Sequence, residues 1–185
     1  VVVTDHNRIA GGLRAKELDA ERVIVGEEIM TTKGELLCAF VQEEIPNGLE
    51  PAEAIGRLRE QGAFISISHP FDRGRKGAWE LADLIEITPL VDAIETFNSR
   101  CLDNRPNEQA AAFAREHYLP GTAGSDAHAP FELGRGNLLL PAFDSPESLK
   151  GVLREGQPVT RLSPAWVHFW SMYAKIYKRM LKVKI

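Results

Sequence analysis

The chain of 185 residues has a formal net charge of −4 and is 44% hydrophobic, values typical of one globular domain with its own core. The acidic balance gives no support for bulk nucleic-acid binding, so no stable nucleic-acid complex is expected. Two cysteines without a CxxC spacing argue against a disulfide framework and favour a reducing, cytoplasmic compartment. No apolar run reaches the roughly 18 residues that a transmembrane helix needs.

Short apolar runs alternate with segments of helical periodicity along the chain. In chain order the sequence predicts a strand at 1–3, a helix at 10–19, a strand at 23–25, a hairpin at 30–40, a helix between Pro51 and Gly62, a strand at 64–68, a helix at 79–84, a strand at 93–97, a helix at 110–118, a short strand before Asp126, a strand at 138–140 and a helix from Ser145. This alternation predicts an α/β fold around a parallel sheet, with a buried first strand.

Side chains of metal-binding type follow most of these predicted strands. They are Asp5, His6, Glu28, His69, Asn98, Asp126 and His128. Singly, Asp5 could cap a helix and Asn98 could belong to a turn. Because the carboxyl ends of strands carry the chemistry of α/β folds, the whole set predicts one shared metal site. Carboxylate and imidazole ligands suit zinc, manganese or iron.

Five motifs resemble successive motifs of the PHP (polymerase and histidinol phosphatase) superfamily, in the family's order. They are TDHN at 4–7, GEE at 26–28, SHPF at 68–71, IETFN at 94–98 and GSDAH at 124–128. The resemblance runs from residue 1 to about residue 140. It implies a distorted seven-stranded, TIM-like β/α barrel that holds two or three divalent metal ions and has phosphoesterase activity.

The resemblance also implies roles for individual residues. Those matching metal ligands are His6, Glu28, His69, Asp126 and His128. Glu28 resembles the metal-bridging carboxylate, while Asp5 and Asn98 fall where the family has ligands or supporting groups. We therefore expect all seven residues in the metal site, with Glu28, Asp126 and His128 as the catalytic residues.

One family motif is missing from the sequence. The family opens with a strand that ends in His-x-His, and no such motif precedes Val1. We therefore expect the domain over residues 1–164 to lack its first strand and helix, with a gap in the sheet beside residues 1–3 and fewer bound metals than the family usually holds. A start inside a longer gene product and a degenerate domain both remain open.

The expected reaction is hydrolysis of a phosphate ester by metal-activated hydroxide. The substrate would be a small phosphorylated metabolite, a nucleotide or a short oligonucleotide. Phosphate also requires cationic contacts, which Arg makes bidentately. Arg73 and Arg75 lie in a glycine-rich loop after His69, and Arg100 follows Asn98; we predict Arg73 and Arg100 as the phosphate contacts, with Ser125 beside the substrate.

Two non-catalytic alternatives remain: a PHP-like scaffold that is inactive without His-x-His, and a polymerase-associated domain.

The C-terminal segment differs in composition from the rest of the chain. Residues 165–185 contain five lysines and arginines, no acid and apolar residues at helical spacing. This pattern predicts a basic amphipathic helix that closes the barrel, with docking to a membrane surface or a partner as the alternative.

Overall fold

The structure, a computed structural model, describes residues 1–169. Its strands and helices follow the predicted order as far as α5, and β8 was not predicted. They are β1 (Val2–His6), α1 (Ala10–Leu18), β2 (Ile24–Met30), β3 (Glu35–Ala39), α2 (Pro51–Glu60), β4 (Phe64–Ile67), α3 (Leu81–Ile87), β5 (Ala93–Asn98), α4 (Arg105–Glu116), β6 (Gly121–Gly124), β7 (Gly136–Leu139), α5 (Pro146–Val152) and β8 (Gln157–Thr160). Most of the predicted basic helix lies outside the described residues. Within the described part, no helix combines the length and apolarity needed to cross a membrane.

Six strands form one curled sheet in chain order, from β1 to β6, so the fold is a mixed α/β half-barrel. The β1–β2, β4–β5 and β5–β6 pairs are parallel, but β3 runs antiparallel to both of its neighbours. The sheet was expected to be parallel apart from the hairpin predicted at 30–40, and the antiparallel pairing of β3 with β4 is therefore a correction. The physical reason is the four-residue connection between β2 and β3, which is too short for a parallel crossover.

The remaining two strands, β7 and β8, form a separate antiparallel pair. The strand predicted at 138–140 therefore exists, but it belongs to this pair. At the other end of the chain, β1 is an edge strand that pairs with β2. Val1 and Val2 are 69% and 39% exposed, so the first strand is not buried as predicted. This edge is where the gap in the sheet was expected.

Helix α2 shows how the sequence fixes an element. Pro51 occupies the first turn, where the lack of an N–H costs nothing, and Gly62 follows the helix with a φ of +72°. Between them Ala54, Ile55 and Leu58 form the buried face. This face packs into the larger of two hydrophobic clusters in the described structure.

The two clusters lie on opposite faces of the sheet. Ile65 and Ile94 belong to the larger cluster, whereas their chain neighbours Phe64 and Ala93 pack with Leu149 of α5 in the smaller one. Successive side chains of a strand alternate between faces. By the same alternation, Glu28 and Glu95 lie on the face of the smaller cluster, towards the carboxyl ends of their strands.

Candidate metal centre

Two histidines and two glutamates meet at the edge of the sheet where β1, β2 and β4 end. His6 is in register with Glu28 on the neighbouring strand, and its Nδ1 lies 3.1 Å from Glu28 Oε2 and 3.7 Å from Glu35 Oε1. His69 approaches from the other side, with Nε2 3.1 Å from Glu28 Oε1 and 3.1 Å from Glu35 Oε2. We call these four residues the His–Glu cluster.

The loop after β4 places Glu35 in this cluster. Trp79 is buried and its indole N–H donates to the carbonyl oxygen of Glu35 at 3.0 Å. Gly77 provides the space for the carboxylate, because a Cβ at Gly77 would lie 2.0 Å from Glu35 Oε2. Glu35 is the cluster member that sequence reasoning missed. Its signal was an acid at the start of an otherwise apolar run, Leu-Leu-Cys-Ala, since burying a lone carboxylate is costly.

The His–Glu cluster has the donor chemistry of a divalent-metal site. Ligand atoms of His6, Glu28 and Glu35 all lie within 4.8 Å of one another, and the two carboxylates are buried. Burial lowers the pKa of His69, but hydrogen bonds to Glu28 and Glu35 outweigh it and raise the pKa to about 10. His69 Nε2 thus lies between two carboxylates, at a point where a divalent cation would satisfy both. Nitrogen and carboxylate oxygen donors of this kind suit zinc, manganese or iron.

A second group of polar residues adjoins the His–Glu cluster and is centred on Asp126. Arg75 forms an ion pair with Asp126 through Nη1, and its Nε lies 2.9 Å from Asp72 Oδ2. Asn98 donates from Nδ2 to Asp126 Oδ2 at 3.3 Å. Burial raises the pKa of Asp126, but the Arg75 guanidinium outweighs this and holds the pKa below its ordinary value.

Glu95 connects the two groups and was not predicted as a site residue. Its Oε2 accepts the backbone N–H of His69 at 2.9 Å and the amide of Asn98 at 3.1 Å. Full burial raises the pKa of Glu95 to about 7, although His69 and these hydrogen bonds pull it down. A buried acid in the motif Ile-Glu-Thr-Phe was the available signal. Glu95 therefore ties the ends of β4 and β5 to one another.

His128 lies on the open side of the site. Its ring centroid is 5.9 Å from that of His6, and its Nδ1 is 2.9 Å from the carbonyl oxygen of Asp126. An Nδ1–H that donates to a carbonyl leaves the lone pair on Nε2. The imidazole can therefore act as a ligand or a base at Nε2.

The structure brings together six of the seven predicted metal-site residues in this region and separates the seventh. Asp5 lies next to His6 in β1 and therefore points to the opposite face of the strand. Its carboxylate lies over Gly11 in the first turn of α1, where a Cβ would be 1.8 Å from Asp5 Oδ2. A negative charge at that position interacts favourably with the positive end of the helix dipole. Asp5 therefore stabilises α1 and does not face the metal site.

The predicted substrate contacts also differ in their positions. Arg73 is exposed, whereas Arg75 in the same loop is the arginine that reaches Asp126. Arg100 is only 4% exposed, with Nε 3.4 Å from Glu132 Oε1, and so lies off the open rim where it was expected. Ser125 is half-buried beside Asp126, and its carbonyl oxygen accepts the hydroxyl of Ser99 at 2.7 Å.

Sequence comparison finds a family described as PHP-associated, whose model matches residues 104–158. Two uncharacterized proteins of Methanocaldococcus jannaschii are also similar. One is 37% identical over 135 residues, which cover 71% of this chain and 54% of the relative. The other is 41% identical over 113 residues, which cover 60% of this chain and 64% of the relative. The chain thus spans between half and two thirds of the length of these relatives.

Similar folds occur among solved structures. A two-domain protein of Bacteroides vulgatus, which contains a predicted PHP-like metal-dependent phosphoesterase, matches with a TM-score of 0.64 at 18% identity, over 86% of this chain and 55% of that protein. A candidate metal-dependent phosphoesterase of Bifidobacterium adolescentis matches with a TM-score of 0.57 at 15% identity, over 85% of this chain and 86% of that protein. At these identities the likeness is one of fold.

Proposed function

Since the chain belongs to the PHP superfamily, we propose that it is a metal-dependent phosphoesterase. Its substrate would be a phosphate ester, carried by a small metabolite, a nucleotide or a short oligonucleotide. The observation that supports this best is the convergence of His6 and His69 on the buried carboxylates of Glu28 and Glu35. Two unpaired, buried cysteines remain the basis for proposing a reducing cytoplasmic setting.

The metal ligands would come from both groups of polar residues. The His–Glu cluster would hold one divalent ion, and Asp126, His128 and Asn98 would hold a second, with Glu28 matching the family's bridging carboxylate by resemblance. Zinc, manganese or iron would suit these donors, and two or three ions remain the expected number. When bound, such ions make a nucleophilic water available near neutral pH and neutralise charge on the phosphate.

The protein's own residues would hold and orient these ligands. Ser68 donates to Glu28 Oε1 at 3.0 Å and so limits the orientations of the bridging carboxylate. Glu95 fixes the backbone of His69, and thereby the direction in which its ring enters the cluster. His128, 35% exposed at its side chain, is the candidate for proton transfer at Nε2, on the side from which substrate arrives.

Substrate phosphate would meet cations contributed by the loop after His69. Arg75 already lies at the site through its contacts with Asp72 and Asp126, and exposed Arg73 lies two residues before it. We propose that Arg73 provides the outer phosphate contact and that Ser125 lies next to the same phosphate. A guanidinium suits this role because its planar N–H groups match the geometry of phosphate oxygens.

The test is phosphoesterase activity in a matched pair of variants. Protein stripped of metal by a chelator is reloaded with Mn²⁺, Zn²⁺ or Fe²⁺ and assayed on nitrophenyl phosphate mono- and diesters and on nucleoside monophosphates. We expect Glu28→Gln to lose at least about a hundredfold in activity, since it removes a shared ligand. Glu27→Gln is the control. Glu27 precedes Glu28 in β2 and is also buried, but its side chain lies on the opposite face of the sheet from the site.

Two results would contradict the proposal. One is equal activity in the Glu28 and Glu27 variants, which would place the chemistry elsewhere. The other is a wild-type protein that binds metal yet hydrolyses no phosphate ester, and that result would favour the scaffold alternative.

A further inference from the structure

A buried ion pair lies outside the proposed ligand set. Arg100 follows the end of β5 and Glu132 lies in the short 3-10 turn Pro130–Glu132 after β6. Their side chains are 4% and 2% exposed, and Arg100 Nε lies 3.4 Å from Glu132 Oε1. Arg100 also donates from Nη2 to the carbonyl oxygen of Val167 at 3.4 Å. Taking two charges out of water is costly, so this pair persists only where the surrounding structure holds both partners.

Each partner of the pair is bonded to a proposed metal ligand. The other oxygen of Glu132, Oε2, accepts the backbone N–H of His128 at 3.0 Å. The backbone N–H of Arg100 donates to Oδ1 of Asn98 at 2.9 Å. The ion pair therefore joins the loop that carries Asn98 to the loop that carries His128.

We propose that Arg100 and Glu132 are positioning residues that fix Asn98 and His128 for metal binding. The inference rests on the proposed function and gives Arg100 a different task from the phosphate contact predicted for it. The carboxylate of Glu132 holds the His128 backbone, and the guanidinium of Arg100 holds that carboxylate. Loss of either charge lets the His128 loop shift, and a metal ligand that is displaced by a fraction of an ångström binds its ion more weakly.

A second carboxylate that joins an arginine to a backbone N–H lies far from the site and serves as the control. Asp92, 10% exposed at its side chain, pairs with Arg59 at 2.7 Å and with Lys150 at 3.2 Å, and it accepts the backbone N–H of Ile65 at 2.8 Å. Asp92 immediately precedes β5, whereas Arg100 follows its carboxyl end, so the two pairs lie at opposite ends of one strand. Asp92→Asn thus removes a comparable charge without a connection to any proposed ligand.

The experiment titrates Mn²⁺ into the metal-stripped wild type, Glu132→Gln and Asp92→Asn by calorimetry, and records the visible spectrum of the Co²⁺ forms. Both variants should have lower thermal midpoints than the wild type. Only Glu132→Gln should bind Mn²⁺ about ten- to a hundredfold more weakly, with an altered Co²⁺ spectrum. If this variant does not fold, Glu132→Asp is used, which keeps the charge but withdraws the carboxylate from the His128 N–H.

The outcomes separate this inference from the proposed function. A wild type that binds no Mn²⁺ overturns both. A wild type that binds Mn²⁺, with a Glu132 variant of equal affinity and an unchanged Co²⁺ spectrum, overturns the positioning role alone. Equal weakening in the Asp92 variant also overturns it, because general destabilisation would then account for the loss.

Discussion

The raised pKa of His69 links stability, pH and metal binding. An imidazole titrates near 6.5 in the unfolded chain, whereas the pKa of His69 in the folded protein is raised to about 10. The folded state therefore binds more protons between these values. The stabilising contribution is complete below about pH 6.5 and is lost as the pH rises through 10.

Because an imidazole must be neutral to bind a metal ion, we predict that metal binding displaces a proton from His69. Calorimetric titration of Mn²⁺ at pH 7.5, in buffers with different ionisation enthalpies, should report release of about one proton per ion bound to the His–Glu cluster. Affinity should rise by up to about tenfold per pH unit between pH 6.5 and 8.5. Binding without proton release, or with an affinity that does not depend on pH, would contradict the assignment of His69 as a ligand.

At the residue scale, sequence pattern was most informative for polar residues close to the carboxyl end of a strand. His6 is the last residue of β1, Glu28 lies two residues before the end of β2 and His69 lies two residues after β4, and the structure places the three together. Glu35 begins its strand instead, and only the register of the hairpin carries it to the same edge, where Met30 pairs with Glu35. Asp5 was expected in the metal site, but neighbouring residues of a strand point to opposite faces. A strand that ends in Asp-His can therefore direct only one of these two side chains into a site.

At the scale of elements, the loop between β4 and α3 contributes most to the site, because it carries His69, Arg75 and Trp79. The sequence predicted a helix from residue 79, but α3 begins at Leu81 because the buried Trp79 turns inward and donates to Glu35. The hairpin was predicted correctly from Lys33-Gly34, whereas the antiparallel pairing of β3 with β4 was not. Pairing between distant strands depends on the packing of the whole sheet and leaves no local pattern.

We predict that Gly77→Ala weakens metal binding. The new Cβ would fall 2.0 Å from Glu35 Oε2, 2.5 Å from Cδ and 2.7 Å from Cγ, so the Glu35 side chain must move and its carboxylate leaves the cluster. Mn²⁺ affinity, measured by calorimetry, should fall about tenfold or more.

The control for this variant is Gly56→Ala in α2, where a Cβ meets no atom within 4 Å. Alanine in a helix interior should stabilise the protein by about 0.5–1 kcal/mol in urea unfolding and leave Mn²⁺ affinity unchanged. Equal Mn²⁺ affinity in the Gly77 variant and the wild type would show that Glu35 contributes little to the site.

At the scale of the whole molecule, the curled sheet brings residues from distant parts of the sequence to one edge. β1 contributes His6, β2 Glu28 and β3 Glu35, while His69 lies two residues after the end of β4. The larger hydrophobic cluster packs helices against the opposite face and so keeps these strand ends in register. The order of strands and helices could be predicted from the sequence, because the apolar periodicity of each element depends only on neighbouring residues. The half-barrel and the separate β7–β8 pair were not, since they depend on contacts between remote segments.

The most direct test of the account is the thermal stability of the metal-stripped chain with and without Mn²⁺. A ligand that binds only the native state at 100 times its Kd adds about 2.7 kcal/mol to the free energy of unfolding, or roughly 5–10 °C in Tm for a domain of this size. We predict a rise of this size in the wild type and in Glu27→Gln, and almost none in Glu28→Gln. A wild-type Tm that does not respond to Mn²⁺, Zn²⁺ or Fe²⁺, or a Glu28 variant that responds as the wild type does, would contradict the assignment of the His–Glu cluster as a metal centre.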